Sequence, residues 1–315
     1  MKVLLTGSTG FVGSRVAERL SADSGLEVTC AVRRPGLITC TREVQVGDLG
    51  PSTDWLAAVD GQDVVIHTAA RAHVMKDEAA EPMEEYRRVN VEGTLSLALQ
   101  AAAAGVRRFI FVSSIKVNGE QTPINEPYTE NDAAGPVDAY GISKMEAEEG
   151  LQEIAEKTGM ELVIIRPPLV YGPGVKGNFA NMIKIVERGW PLPLGAVNNK
   201  RSMVALDNLV SLISVCVDHP AAANQVFLAG DGEDVSTAEL LRGIGRATGK
   251  PIRLIPVPAQ LLILAASIIG KKSIALRVLG SLQVDIAKAR ALLDWEPPLS
   301  MDEGLRRCFL SENKV

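Results

Sequence analysis

Apolar residues in the first half of the chain fall into short, β-branched runs: Val3 to Thr6, Val28 to Val32, Val44 to Val46, Val64 to His67, Arg108 to Ser113 and Glu161 to Arg166. Between them lie helix-length segments, Phe11 to Ser21, Glu84 to Ala104 and Ala139 to Lys157. Strands alternating with helices at this spacing predict a parallel sheet covered on both faces, a Rossmann-type doubly wound α/β fold. After Arg166 the chain turns rich in Pro and Gly (Pro167, Pro168, Gly172, Pro173, Gly174, Gly177). Helical patterns then return at Asn178 to Arg188, Thr237 to Thr248, Ala259 to Ile269 and Asp285 to Leu293. The expected organisation is a first domain over residues 1–168 and a smaller, mostly helical lobe over 169–315, with some chain returning to the first domain.

Composition narrows the function classes. The 315 residues are 46% hydrophobic and 23% charged, as in an ordinary globular protein. The net charge of -5 comes from 38 acids and 33 bases scattered along the chain, so no nucleic-acid partner is expected. Cys30, Cys40, Cys216 and Cys308 show no CxxC spacing, and His67, His73 and His219 form no HxxxH pair, so no metal is expected. The apolar stretch after Lys2 is broken by Gly7, Gly10 and Gly13, unlike a signal peptide, and a cytoplasmic protein with reduced thiols is expected. The longest uncharged run, Leu254 to Gly270, contains only Leu261 to Ile269 as a strongly apolar block. That is too short for about 30 Å of hydrocarbon, so no membrane span is expected and the block reads as a buried or interfacial helix.

The first strand leads directly into Gly7-Ser8-Thr9-Gly10-Phe11-Val12-Gly13, a GxxGxxG spacing that opens a helix. Gly7 permits the tight turn, Gly10 lets the backbone approach a pyrophosphate, and Gly13 lets the helix press on the strand, while the helix N-terminus faces the negative charge. The second strand ends in Ala31-Val32 and continues Arg33-Arg34, where an NAD enzyme usually carries a carboxylate for the ribose hydroxyls. Two guanidiniums there favour NADP(H) through its 2'-phosphate, with NAD(H) the alternative and a solvated turn the structural reading. Asp48, before Leu49, is placed to accept from an adenine amino group. Thr68-Ala69-Ala70 leave room for a ligand at the end of the fourth strand, beside a His67 that reads as core.

Tyr140 and Lys144 stand four apart, hence on one helix face. A phenol of pKa about 10 is a poor acid-base group at neutral pH, but an adjacent ammonium and a positive nicotinamide ring favour the phenolate. A hydroxyl from Ser113-Ser114, ending the preceding strand, would donate to the substrate oxygen that Tyr140 protonates, making a Ser/Tyr/Lys triad around one carbonyl or carbinol carbon.

These motifs, with Asn90-Val91-Glu92-Gly93-Thr94 and Arg166-Pro167 to Tyr171-Gly172-Pro173, resemble the extended short-chain dehydrogenase/reductases, in particular their nucleotide-sugar epimerase/dehydratase/reductase group. The resemblance covers nearly the whole chain. It implies Ser114, Tyr140 and Lys144 as catalytic residues. For the cofactor it implies Gly7, Thr9, Gly10, Phe11, Val12, Gly13, Arg33, Arg34, Asp48, Leu49, Thr68, Ala69, Ala70, Asn90 and Pro167, besides Tyr140 and Lys144. Toward a UDP-sugar it implies Ser114, Lys116, Tyr140, Asn178, Phe179, Arg201 and Arg277, the last on a spacing to Asp285 that does not fit cleanly. It also implies a homodimer paired through the helices Glu84 to Ala104 and Ala139 to Lys157.

Three departures shape the expected reaction. Ile115 and Lys116 stand where dehydratases of the group carry Asp-Glu, which disfavours dehydration. Asn118 replaces a usual Tyr, and Leu169 stands where many UDP-hexose 4-epimerases carry Asn. Ser113 to Glu120 and Pro191 to Arg201 resemble a bacterial polysaccharide subgroup that reduces 4-keto UDP-N-acetyl-6-deoxyhexosamines. The leading expectation is a 4-ketoreductase acting at hexose C4 of a nucleotide sugar. The alternatives are a UDP-glucose or UDP-N-acetylglucosamine 4-epimerase and, more remotely, an NADP(H)-sensing binding protein.

Overall fold

The computed structural model describes residues 1–36, 40–72 and 81–309, so His73 lies outside the described residues. The first half runs β1 (Lys2–Thr6), α1 (Phe11–Ser21), β2 (Glu27–Val32), β3 (Arg42–Gln45), α2 (Leu56–Val59), β4 (Val64–His67), α3 (Pro82–Tyr86), α4 (Gly93–Ala103), β5 (Arg108–Val112), α5 (Ala139–Thr158) and β6 (Glu161–Arg166). There follow β7 (Leu169–Tyr171), α6 (Gly177–Glu187), β8 (Arg201–Ala205), α7 (Leu206–Cys216), β9 (Gln225–Leu228), β10 (Asp234–Val235) and α8 (Thr237–Ala247). The chain closes with α9 (Ala259–Ile268), α10 (Lys272–Leu279), α11 (Ala287–Leu293) and α12 (Met301–Arg307).

Seven parallel strands form the central sheet in the order β3-β2-β1-β4-β5-β6-β9. The apolar runs are continuous because both faces of these strands are covered. Val3, Leu5, Val64, Ile66, Ile110, Val112, Val163 and Ile165 face a core shared with α1, α7 and α11. Their neighbours Leu4, Val65, Phe109, Phe111, Leu162 and Ile164 face the opposite core, with α4 and α5. The expected doubly wound sheet is therefore present, and the strand order reverses between β1 and β4, where such sheets open a crevice for ligands.

Two features differ from the expectations. The single helix expected over Glu84 to Ala104 is interrupted by a π-turn at Arg87–Glu92, which widens the helix by a residue and turns Asn90 inward. The second lobe carries helices but also a three-stranded sheet, β10-β8-β7, that its short segments did not announce. Beyond residue 168, α7 and β9 join the first core and the central sheet, while Tyr171, Phe179, Met203, Leu240, Leu241 and Ile244 form a separate core under α6 and α8.

Candidate active site

The glycine loop is built to leave no room for side chains. Gly7 sits at φ 75, and a Cβ there would lie 2.6 Å from the Ala69 nitrogen. A Cβ on Gly13 would lie 2.1 Å from the Gly7 carbonyl oxygen, so α1 can press on β1 only with glycine at that position. Gly10 caps α1 with extended backbone and no side-chain hydrogen bond. Helix geometry then leaves the first-turn amides, those of Phe11, Val12 and Gly13, for an anion. Thr68 hooks its hydroxyl onto the Thr6 carbonyl at 2.7 Å, holding the ends of β4 and β1 together beside Ala69 and Ala70. A pyrophosphate fits this cradle, so the residues present suit a dinucleotide.

At the adenosine end, Arg33 extends to Asp48, Nη1 to Oδ1 3.3 Å, with both side chains largely exposed. Gln45 fixes the Arg33 carbonyl at 3.0 Å, and Leu49 packs on the core below. Arg34 is exposed in the same turn. His67 is fully buried: it shares hydrogen bonds with Thr6 (2.7 Å) and Thr94 (3.0 Å) and stacks on Phe111. Burial, reinforced by the Lys144 charge, pushes it down to about 3, so it is a neutral core residue at physiological pH.

Ser114 follows β5 in extended conformation and caps the 3-10 turn Ile115–Val117, and its hydroxyl is within hydrogen-bonding reach of Tyr140. Tyr140 enters on the first turn of α5, which Asp138 caps by accepting from the Gly141 amide at 2.8 Å. Asn90 ties this region together from the π-turn. Its Oδ1 accepts from the Arg71 amide (2.7 Å), and its Nδ2 donates to the Arg71 carbonyl (3.1 Å) and to Ser143 Oγ (3.0 Å). Ser143 in turn donates to the Tyr140 carbonyl at 2.8 Å. Tyr86, which no sequence signal singled out, meets the Tyr140 ring edge-on, centroids 6.3 Å apart.

Tyr140 is pushed above the ordinary phenol value, first by burial and then by the Asp138 carboxylate and Tyr86, and the Ser114 hydrogen bond only partly offsets this. The Lys144 ammonium donates to the Val112 carbonyl at 2.8 Å and lies 4.1 Å from the centre of the Phe111 ring. Burial brings Lys144 itself down to about 7. Behind it, Glu148 accepts from Ser113 and from Arg166 (Nε to Oε1 3.0 Å), while Arg166 also donates to Asn118 Oδ1 at 3.0 Å. Both members of this ion pair are almost wholly buried. The Asn at position 118, which departs from the family pattern, is thus a partner of Arg166. Pro167, next to it, accepts from the Ile115 amide at 3.0 Å and fixes the turn below Ser114.

Toward the second lobe, Lys116 pairs with Asp138 and lies 3.6 Å from Glu120. Arg277 reaches the same Glu120 at 3.7 Å from an exposed position. Arg201 is more deeply set: its Nη1 donates to the carbonyls of Arg277 (2.7 Å) and Gly280 (3.2 Å). Burial lowers its pKa, and no described carboxylate pairs with it. A part-buried cation held only by carbonyl oxygens is prepared for an anionic ligand. Asn178 is exposed in the first turn of α6, which Lys176 rather than Asn178 caps. The Phe179 side chain stacks on Tyr171 in the core, centroids 5.4 Å apart, which leaves only its backbone amide to face a ligand.

The fold and the glycine cradle define a Rossmann-type dinucleotide-binding protein. Residues 3–230 match the NAD dependent epimerase/dehydratase family, and the chain belongs to that family of NAD-using enzymes. It is 48% identical over 320 residues to a UDP-glucose 4-epimerase of Vibrio cholerae, spanning 99% of this chain and 96% of that protein. It is 30% identical to an N-acetyl-α-D-glucosaminyl-diphospho-ditrans,octacis-undecaprenol 4-epimerase of Escherichia coli O157:H7, spanning 98% and 95% of the two chains. A solved short-chain dehydrogenase/reductase superfamily protein from Agrobacterium tumefaciens with bound NAD superposes with a TM-score of 0.77 at 26% identity, covering 98% of this chain and 96% of that one. Among the described residues, no helix is long and apolar enough to cross a membrane.

Proposed function

We propose that this protein interconverts UDP-hexoses at C4, as a 4-epimerase of the UDP-glucose or UDP-N-acetylglucosamine type. The observation that carries the reading is the hydrogen bond between the Ser114 and Tyr140 side chains, together with an Arg201 guanidinium held by carbonyl oxygens with no described carboxylate on it. The 48% identical relative supports epimerisation over the reduction favoured on sequence alone. A nicotinamide dinucleotide held by the glycine cradle would supply reversible hydride chemistry at C4. With the positive charge of an oxidised nicotinamide beside it, Tyr140 would ionise despite its burial, and its phenolate Oη takes the proton of the C4 hydroxyl as the carbon is oxidised and gives it back when the carbon is reduced on the other face. Ser114 donates to the same sugar oxygen, which places the carbonyl for attack from either side. Lys144, anchored on Val112, would hold the nicotinamide ribose, and Arg201, Arg277 and the first-turn amides of α6 would hold the diphosphate.

NAD(H) accompanies this reading. The Arg33 guanidinium is already engaged by Asp48, whose carboxylate would repel a 2'-phosphate placed between them. The second reading, a 4-ketoreductase drawing on NADPH, is favoured by the same exposed Arg33–Arg34 turn. The proposed assembly is a homodimer through α4 and α5, in a cytoplasmic protein, and Leu99 of α4 is an exposed apolar side chain.

The test is to denature freshly purified protein, identify the released nucleotide, and follow UDP-glucose and UDP-N-acetylglucosamine for conversion to their C4 epimers. Released NAD+ with conversion, lost in Tyr140→Phe while the nucleotide is retained, is the expected result. An empty site that oxidises NADPH stoichiometrically with a UDP-4-keto-sugar overturns the epimerase in favour of the reductase.

A further inference from the structure

The block Leu261 to Ile269 forms α9, and none of that helix is buried. Its outward stripe is apolar at i, i+3, i+4 and i+7: Leu261 (56% exposed), Leu264 (59%), Ala265 and Ile268 (78%), continued by Ile269 (67%). Leu262, Ile263 and Ala266 take the inner face, so apart from Gln260 and Ser267 the helix is apolar while lying on the surface. A helix of that kind requires a covering phase. The surrounding charge indicates which one. From Lys250 to Val284 the chain carries five bases (Lys250, Arg253, Lys271, Lys272 and Arg277) and no acid, in a protein whose net charge is -5. Lys271 and Lys272 stand exposed at the turn from α9 to α10. The segment bearing Trp190, 64% exposed under Arg188, pairs alongside through Leu192 and the Arg253 and Ile255 backbone.

We propose that the α9–α10 hairpin docks the protein reversibly on an anionic lipid surface, its apolar stripe entering the interface and its lysines meeting the headgroups. A second copy is the weaker occupant, because a two-fold contact through α9 would set this wholly basic segment against itself. The inference is independent of the reaction assigned above. It has a geometric consequence for the site, since the Arg277 and Gly280 carbonyls that hold Arg201 lie at the far end of α10 from Lys272.

The experiment is sedimentation of the full chain with vesicles of mixed phosphatidylglycerol and phosphatidylcholine, compared with pure phosphatidylcholine, alongside light scattering to fix the oligomeric state. Binding to the anionic vesicles that weakens with salt is expected. Lys271→Gln combined with Lys272→Gln should weaken it on the order of 30-fold, at roughly fivefold per lysine. Leu264→Gln with Ile268→Gln should abolish it without altering thermal stability or oligomeric state, because both side chains face outward. Three outcomes overturn the proposal: no binding by the unaltered protein, binding indifferent to both double variants, or a Leu264/Ile268 variant that dissociates an oligomer while vesicle binding is unchanged.

Discussion

Replacing Lys144 by methionine should stabilise the folded protein while destroying its turnover. A lysine that titrates at 10.5 in the unfolded chain and at about 7 in the folded protein opposes folding by roughly 4 kcal/mol at pH 7. Methionine removes that term but leaves the Val112 carbonyl without its donor, a loss of about 1–3 kcal/mol. The net gain is about 1–3 kcal/mol, or roughly 2–6 °C in Tm for a chain of this size. The sign of the pH dependence follows from the direction of the shift. Below about 7 both states hold the proton and the full cost is present; between about 7 and 10.5 the unfolded chain binds a proton the folded one has released, so unaltered protein gains stability as pH rises. The variant lacks that gain, and its advantage should shrink steadily toward pH 10.5. The assay is thermal unfolding of nucleotide-stripped protein and variant from about pH 6 to about pH 10, read as a difference so that cofactor binding does not enter. The difference also cancels Cys30, Cys216 and Cys308, which burial pushes up to about 12 and whose linkage runs the opposite way. A variant less stable at the acid end, or a difference independent of pH, would refute the reading that desolvation of this ammonium outweighs its Val112 and Glu148 partners.

Three further changes probe the surrounding structure. Glu148→Ala strands the buried Arg166 guanidinium and should lower stability by about 3–5 kcal/mol in denaturant unfolding, whereas an unchanged midpoint would mean the pair contributes nothing. Gly13→Ala forces a Cβ to 2.1 Å from the Gly7 carbonyl, so the purified protein should carry little bound nucleotide and lose about 1–3 kcal/mol of stability. Arg201→Ala should weaken UDP binding, measured by titration calorimetry, by roughly 10- to 100-fold with little loss of Tm, since the guanidinium has no carboxylate partner to abandon.

The central sheet was legible because its evidence is local. Strands buried on both faces are apolar along most of their length, and β1, β2, β4, β5 and β6 carry that run in their own residues. The small sheet was not, because Leu169–Tyr171 is three residues between Pro168 and Gly172, and its partner β8 lies some thirty residues on, at Leu169↔Met203. Its strands exist by pairing, not by composition. The same division runs through the site. The triad spacing could be read because Tyr140 and Lys144 share one helix and Ser114 ends one strand. The Glu148–Arg166 pair was missed although Glu148 repeats the four-residue step from Lys144, because in the run Glu146 to Glu149 it looks like a solvated helix face. Only the arrival of Arg166 at the end of β6 makes it interior. The Lys144 anchor was hidden for the same reason. Spacing on a helix says that two side chains share a face, but where the ammonium points is decided by whatever accepts its proton. Here that acceptor is the Val112 carbonyl of β5, so Lys144 ties α5 to the strand end that presents Ser114.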